Sequence, residues 1–235
     1  MIQKGIFLEQ NQESDNLEKL IFIANSILLI TVAGLINSIV ILGVHGSAVA
    51  HSTGNASSFA IELSHGNFSY HLVFLISSFL IGAFVSGGLI GSSKYKKENK
   101  YGLLLIVESM ILLLGDFLYF NDVEIGAYAF SFACGLQNAL VMTFRGSIIR
   151  TTHLTGIITD LGSFLGQKAR GVPVEFWRIY MNFFQIVGFL IGSFFGAFFF
   201  LEYGTIMIWL PAITCFCLGV SYNIWQGHFR KVVNL

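Results

Sequence analysis

Six long runs of apolar residues follow one another along the chain, separated by short polar or glycine-containing stretches. Each run is close to the roughly 20 residues that a helix needs to cross the hydrocarbon of a bilayer. The runs are continuous and have no period of two, which favours helices over a β-barrel. The pattern predicts an all-α integral membrane protein with six transmembrane helices, at about residues 20–44, 70–92, 101–120, 125–144, 177–200 and 205–225.

The chain also resembles itself at a separation of about 101 residues. Residues 34–38 (GLINS) match residues 135–139 (GLQNA), and residues 51–55 (HSTGN) match residues 153–157 (HLTGI). A third match aligns small residues at every fourth position of spans two and five, a pattern that lets two helix backbones approach closely. These residues are Ser78, Gly82 and Ser86 in span two, and Gly188, Gly192 and Gly196 in span five.

The repeat predicts how the chain is organised in the membrane. Each repeat holds three spans, an odd number, so the second lies inverted relative to the first, as in many secondary transporters. Each repeat also contains a Thr-Gly pair, read as a helix break, followed by a short amphipathic helix, at residues 56–63 and 157–165. The predicted units are an N-terminal tail (1–19), repeat 1 (20–120), repeat 2 (121–225) and a C-terminal tail (226–235).

Composition and charge agree with this picture. The chain is 54% hydrophobic and 11% charged, whereas soluble domains carry about 25% charged residues. All 13 Lys and Arg residues fall in the two tails, in the loop after span two, or between the end of span four and the first residues of span five, where Arg178 lies. The positive-inside rule therefore predicts cytoplasmic termini. The formal net charge of zero argues against nucleic acid as a partner, and the first apolar run is too long for a cleaved leader.

The same motifs resemble a known family. Residues 52–55, 135–139 and 150–156 (RTTHLTG) are similar to the YoaK-like family of bacterial multi-pass membrane proteins of unknown function, and the similarity runs from span one to span six. The resemblance implies a bacterial inner-membrane location and supplies no substrate. The family pattern usually has an Asp where this chain has Asn37, so if that Asp is a proton or cation site in relatives, this member lacks it.

Polar residues inside or beside the spans are the candidates for a solute pathway. Each also has a structural interpretation: a buried amide can bond a neighbouring helix, a Thr can cap a helix and an Arg can mark topology. A carboxylate in mid-span, as at Glu108, usually marks a pathway or relay, although it can be protonated and packed. The candidates are Asn37, Thr53, Gly54, Asn55, Glu108, Gln137, Asn138, Arg150, Thr152, His153, Thr155, Gly156 and Asp160.

We expect a transporter or channel for a small solute, with the passage between the repeats and the bilayer as the other partner. A membrane-embedded enzyme acting on a lipid group, and a scaffold without transport, are the alternatives. The sequence has no nucleophile elbow, phosphate-binding loop or acid pair for hydrolysis, so no catalytic residue and no cofactor are predicted. No metal site is predicted either, because the spacing of His45, His51, His65 and His71 fits no zinc pattern. A homo-oligomer is compatible with the sequence.

Overall fold

The computed structural model describes residues 2–43, 49–90, 100–140, 142–144, 147–149 and 153–233. Within these ranges the chain forms eight α-helices, one 3₁₀ turn and one short antiparallel hairpin. The helices are α1 (Ile2–Gly43), α2 (Ser52–Ser64), α3 (Tyr70–Ile90), α4 (Tyr101–Asn121), α5 (Val123–Ala139), α6 (Leu154–Ala169), α7 (Phe176–Tyr203) and α8 (Trp209–Val233). The hairpin consists of β1 (Met142–Phe144) and β2 (Ser147–Ile149), and the 3₁₀ turn, Gly204–Ile208, joins α7 to α8.

In the described part of the chain, four stretches are long and apolar enough to cross a membrane by length and composition, at residues 23–43, 70–90, 101–121 and 176–224. The last stretch contains both α7 and α8, and Gly204 at their junction has a positive φ of 63°. The protein is thus a helical membrane protein. Helix α1 begins at Ile2, so the predicted N-terminal tail continues the first span as helix.

The end of the predicted fourth span is wrong. Helix α5 ends at Ala139, and residues 142–144 form a strand instead of the last turn of a helix. With 17 residues, α5 is about 26 Å long at 1.5 Å per residue, which is shorter than a typical span. The residues after it are rich in β-branched Val, Thr and Ile, which fit a strand better than a helix.

Helix α1 pairs with α7, and the two helices run in the same direction. Moving along α7, Gly188 lies against Ile27, Gly192 against Thr31 and Gly196 against Leu35. The contact is so close that a Cβ on Gly192 would overlap the carbonyl oxygen of Thr31. The Ser193 hydroxyl adds a hydrogen bond to the Gly34 carbonyl (3.2 Å).

Helices α3 and α5 form a second parallel pair with the same close contacts. Gly82 of α3 lies against the carbonyl oxygen of Phe132 in α5, and Gly135 of α5 lies against that of Phe79 in α3. In the first pair the corresponding contacts are Gly192 with Thr31 and Gly34 with Phe189. The equivalent residues are separated by 101 positions between α1 and α5, and by 110 between α3 and α7. Each pair therefore joins one helix from each half of the chain.

Helices α2 and α6 begin and end alike. His51 and His153 are the residues before the first turn, and their carbonyls accept from the amides of Asn55 and Ile157, both at 3.2 Å. Both helices are followed by a glycine with positive φ, Gly66 at 82° and Gly171 at 77°, which ends a helix without steric penalty.

In both halves of the chain the helix break therefore lies before the Thr-Gly pair, whereas the sequence predicted the break at the pair itself. Thr53 and Thr155 lie within the first turn of their helices and are not the cap residues. Gly54 and Gly156 have no positive φ, so the glycines do not make the bend. In helix α6 the amphipathic segment likewise starts earlier and extends further than residues 157–165, since the helix is Leu154–Ala169.

The centre of the bundle is formed by α1, α5, α4 and α8. One apolar cluster combines Ile36 of α1, Leu112 of α4, Phe130 of α5 and Ala212 of α8. Helix α4 runs antiparallel to α8, since Gly102 meets Gly219 at one end and Asp116 meets Trp209 at the other. Helices α3 and α7 lie on the outside and expose large side chains in the manner of lipid-facing helices.

We predict that Gly192→Ala destabilises the protein whereas Gly88→Ala does not. A Cβ at residue 192 would overlap the α1 backbone, while a Cβ at residue 88 meets no atom within 4 Å. Forcing the backbones apart should cost about 1–3 kcal/mol, as overpacking does elsewhere, whereas Gly88→Ala should be neutral or stabilising because Ala favours helix. Thermal unfolding in detergent measures both, and equal midpoints for the two variants would contradict the prediction.

Candidate functional site

Three of the predicted polar positions are buried in the spans. Asn37 in α1 is 5% exposed, while Glu108 in α4 and Gln137 in α5 are fully buried. Asn138, the repeat equivalent of Asn37, is half-buried. Buried polar groups in a helical bundle are retained only when they are bonded or have a function, because each unsatisfied group is costly.

Glu108 lies in the middle of α4, where this helix meets α5 and α8. The thiols of Cys134 on α5 and Cys215 on α8 are the ionisable groups that face its carboxyl. Within the described part of the chain no nitrogen or hydroxyl group donates to either carboxyl oxygen, and the donor beside them is the Cys215 thiol, a weak one. The side chain also has no basic partner there, in contrast to the exposed pair Arg178–Glu175 (3.1 Å).

The first turn of α6 lies against α1. Ile157 forms an apolar cluster with Ile30 of α1 and Phe189 of α7. Asn37 follows Ile30 by seven residues, or two helical turns, and is therefore on the same side of α1. Its Oδ1 atom has no hydrogen-bond partner among the described residues.

The start of α2 lies in the equivalent place beside α5. The Ser131 hydroxyl of α5 bonds to the carbonyls of Val49 (3.2 Å) and of Leu75 in α3 (2.8 Å). Val49 precedes α2 by three residues, and Ser131 is the repeat equivalent of Ile30. Each half of the chain thus places the beginning of its short helix against the first long helix of the other half.

The Thr-Gly residues themselves lie mainly on the outside of the protein. Thr53, Gly54, Thr155, His153 and Asp160 are exposed. Gly156 is half-buried beside the imidazole ring of His153, and Asn55 is buried. Burial lowers the pKa of His51, so this ring is neutral at pH 7. Arg150 and Thr152 lie outside the described residues.

Convergence of the two Thr-Gly segments across a cavity stays a prediction. Helix α2 packs mainly on α3 and α6 packs mainly on α7. The described contacts bring each segment to the first long helix of the other half and record no packing of the two segments on each other. Among the described residues, no three His, Cys, Asp or Glu side chains are grouped as metal ligands.

Sequence reasoning missed two buried amides in α7. Asn182 and Gln185 are 4% and 1% exposed, and the Gln185 Nε2 atom has no partner among the described residues. They precede Gly188 at helical spacing, on the side of α7 that faces α1. That spacing is the signal that could have found them, because it continues the small-residue stripe with polar residues.

Two polar contacts between helices were also missed. The Trp209 indole Nε1 of α8 donates to Oδ2 of buried Asp116 in α4 at 3.0 Å. Nearer the end of the bundle, Nδ1 of His71 in α3 lies 3.2 Å from the Tyr128 hydroxyl of α5, which donates to Glu124 at 3.2 Å. No sequence motif marks either contact, because the partners are 93 and 57 residues apart.

Comparison with known proteins finds similar proteins whose descriptions name no activity. The family described as "Protein of unknown function (DUF1275)" matches residues 26–221. A UPF0700 transmembrane protein of Rhizobium meliloti (strain 1021) is 26% identical over 204 residues, which cover 84% of this chain and 86% of that protein. No solved structure matches the chain.

We predict that Trp209→Phe destabilises the protein through Asp116. The substitution keeps an aromatic ring but removes the N–H donor, which leaves a buried carboxyl without its hydrogen bond. The expected loss is about 1–3 kcal/mol of unfolding free energy, measured by thermal unfolding in detergent. Asp116→Leu should relieve most of this loss in the double variant, and additive losses would contradict the assignment.

Proposed function

The chain belongs to the DUF1275 family of proteins of unknown function, and for this member we propose a transporter or channel for a small solute in the bacterial inner membrane. The observation that carries the proposal is the exchange of helices between the two halves of the chain. Helix α1 pairs with α7 and α5 pairs with α3, through equivalent glycine contacts. Beside this arrangement are two buried polar groups: Asn37, whose Oδ1 atom has no partner among the described residues, and Glu108, whose carboxyl has no charged partner there.

We propose that the two halves are inverted repeats of three spans each. The supporting geometry is the direction of the helix pairs: α1 with α7 and α3 with α5 are parallel, while α4 with α8 and α4 with α5 are antiparallel. Six helices that cross the membrane alternately, in the order α1, α3, α4, α5, α7, α8, have these relative directions. Inverted repeats of this kind carry substrate sites at their interface near the midplane in secondary transporters.

The proposed passage lies where each half meets the first long helix of the other half. At one such place the start of α6 lies against the side of α1 that carries Ile30 and Asn37. At the other, the residues before α2 lie against Ser131 of α5. Interrupted backbone at membrane depth is tolerated when it is buried in protein or lines a cavity, which favours a solute path here over lipid contact.

A membrane-embedded enzyme and a scaffold are the rival functions. The enzyme would need catalytic groups together at one interface, and the described candidates are both exposed and seven residues apart, His153 just before α6 and Asp160 within it. A scaffold would not need buried polar atoms that lack partners among the described residues, such as those of Asn37 and Gln185. We therefore favour transport, with no enzymatic activity.

Reporter fusions test the proposed topology. All 13 basic residues lie on one side of the six-span arrangement, so both termini should be cytoplasmic. Fusions after Leu235 and Lys97 should report inside, and a fusion after Asn121 should report outside. An outside signal at Leu235 would exclude both the topology and the inversion.

Thiol labelling tests whether Asn37 lines an aqueous passage. In a Cys217→Ala background, Asn37→Cys should react with a polar, membrane-impermeant thiol reagent added to sealed membranes from at least one side. Leu28→Cys is the matched control on the same helix, since Leu28 is 39% exposed and faces lipid in the proposed arrangement. It should not react, because the thiolate nucleophile does not form in hydrocarbon.

The parent variant with only the two buried native thiols gives the baseline for both measurements. Asn37→Cys labelling at the baseline rate from both sides would count against a passage at this position and would favour the scaffold. Labelling of Leu28→Cys at the rate of Asn37→Cys would show that the reagent does not discriminate water from lipid contact, and the passage would lose its support.

A further inference from the structure

Glu108 differs from Asp116, Glu124 and Glu175 in having neither solvent contact nor a nitrogen or hydroxyl donor among the described residues. It is fully buried, and the donor beside its carboxyl is the thiol of Cys215, which forms only weak hydrogen bonds. Asp116, on the same face of α4, is also buried but accepts from Trp209. Glu124 is exposed and accepts from the Tyr128 hydroxyl, and Glu175 is exposed and paired with Arg178.

The groups that surround Glu108 carry no positive charge. Helix α5 presents Cys134 and helix α8 presents Cys215, both buried thiols, and the Cys215 thiol offers the carboxyl only a weak donor. The 3₁₀ turn that also packs on α4 contains no titratable residue. Along α4 itself the nearest titratable groups are Tyr101 and Asp116, about 11 and 12 Å away at 1.5 Å per residue. An ionised carboxylate here would be uncompensated, so Glu108 is a neutral acid in this conformation.

A carboxyl that stays protonated and only fills space is not expected at this position. A carboxyl inside a membrane bundle is costly and is otherwise rare unless it lies on an ion pathway or proton relay. Leu or Met would fill the same volume without burying a carboxyl whose neighbouring donor is only a thiol. The residue is also central: α4 is the helix that pairs with both α5 and α8.

We infer that Glu108 is a reversible proton-binding site and that the proton is the coupling ion of the proposed transporter. This inference rests on the proposed function for the coupling, and on the geometry of α4, α5 and α8 for the binding. In the described conformation the carboxyl holds its proton away from water. In a second conformation, in which α4 and α8 separate at Glu108, water reaches the carboxyl and the proton leaves as hydronium.

Infrared spectroscopy of the full chain in lipid nanodiscs tests the proton site. The wild type should show a protonated-carboxyl carbonyl band that shifts in D₂O and converts to carboxylate absorption as the pH is raised. Glu108→Gln should remove this band, whereas Asp116→Asn, the matched buried carboxyl with its own donor, should retain it. If Glu108→Gln does not fold, Glu108→Asp keeps the titratable group and should shift the band without abolishing it.

A band that neither exchanges with D₂O nor changes with pH would overturn the inference, because it would mean a permanently packed acid. Retention of the whole band in Glu108→Gln would overturn it equally, since the signal would come from another group.

The labelling of Asn37→Cys separates this inference from the proposed function. The labelling rate should change with pH more in Asn37→Cys than in the double variant Asn37→Cys/Glu108→Gln. The ratio of the rates at alkaline and acidic pH should differ between the two variants by at least threefold. The ionisation of the introduced thiol is the same in both variants, so its effect cancels in this comparison. Labelling with the same pH profile in both variants would overturn proton coupling and leave the passage intact. A titrating Glu108 with an unreactive Asn37→Cys would leave the proton site and remove the passage.

Discussion

The contact of helix backbone with helix backbone at glycine is the constraint on which the rest of the fold depends. Apolar side chains gain little by leaving lipid for one another, so helices in a membrane associate through close packing and backbone approach. Gly192 against Thr31 and Gly82 against Phe132 bring the paired helices close enough for this. Because each pair joins the two halves of the chain, neither half can complete its packing without the other.

This exchange also determines what surrounds the polar residues. Once α1 is paired with α7, the first turn of α6 reaches the side of α1 that carries Asn37. Pairing of α5 with α3 likewise draws the residues before α2 against Ser131. The remaining long helices, α4 and α8, cross antiparallel at the centre and bury Glu108 between them and α5. The candidate site is therefore a product of the pairing and belongs to neither half alone.

The two halves of the chain are alike in more places than the matched motifs. His51 and His153 precede equivalent helices, and Gly66 and Gly171 end them with the same backbone conformation. The short hairpin after α5 has no described counterpart after α1, where residues 44–48 lie outside the described chain. The repeat separation is 102 residues at His51 and His153, 105 at Gly66 and Gly171, and 110 in α3 and α7, so most of its growth lies in and after the short helices.

The sequence by itself determined that this is a helical membrane protein, which residues are small and repeated, and that Glu108 lies in mid-span. These properties follow from local composition and from the 30 Å thickness of hydrocarbon. It did not locate the end of α5, the cap residues of α2 and α6, or the buried amides Asn182 and Gln185. Only the tertiary structure decided which helix each glycine stripe meets, because partner choice depends on contacts between residues 50 or more positions apart in the chain. Contacts between distant residues also decide whether a buried polar atom finds a donor, as Asp116 does from Trp209, or has none among the described residues, as with the Oδ1 atom of Asn37.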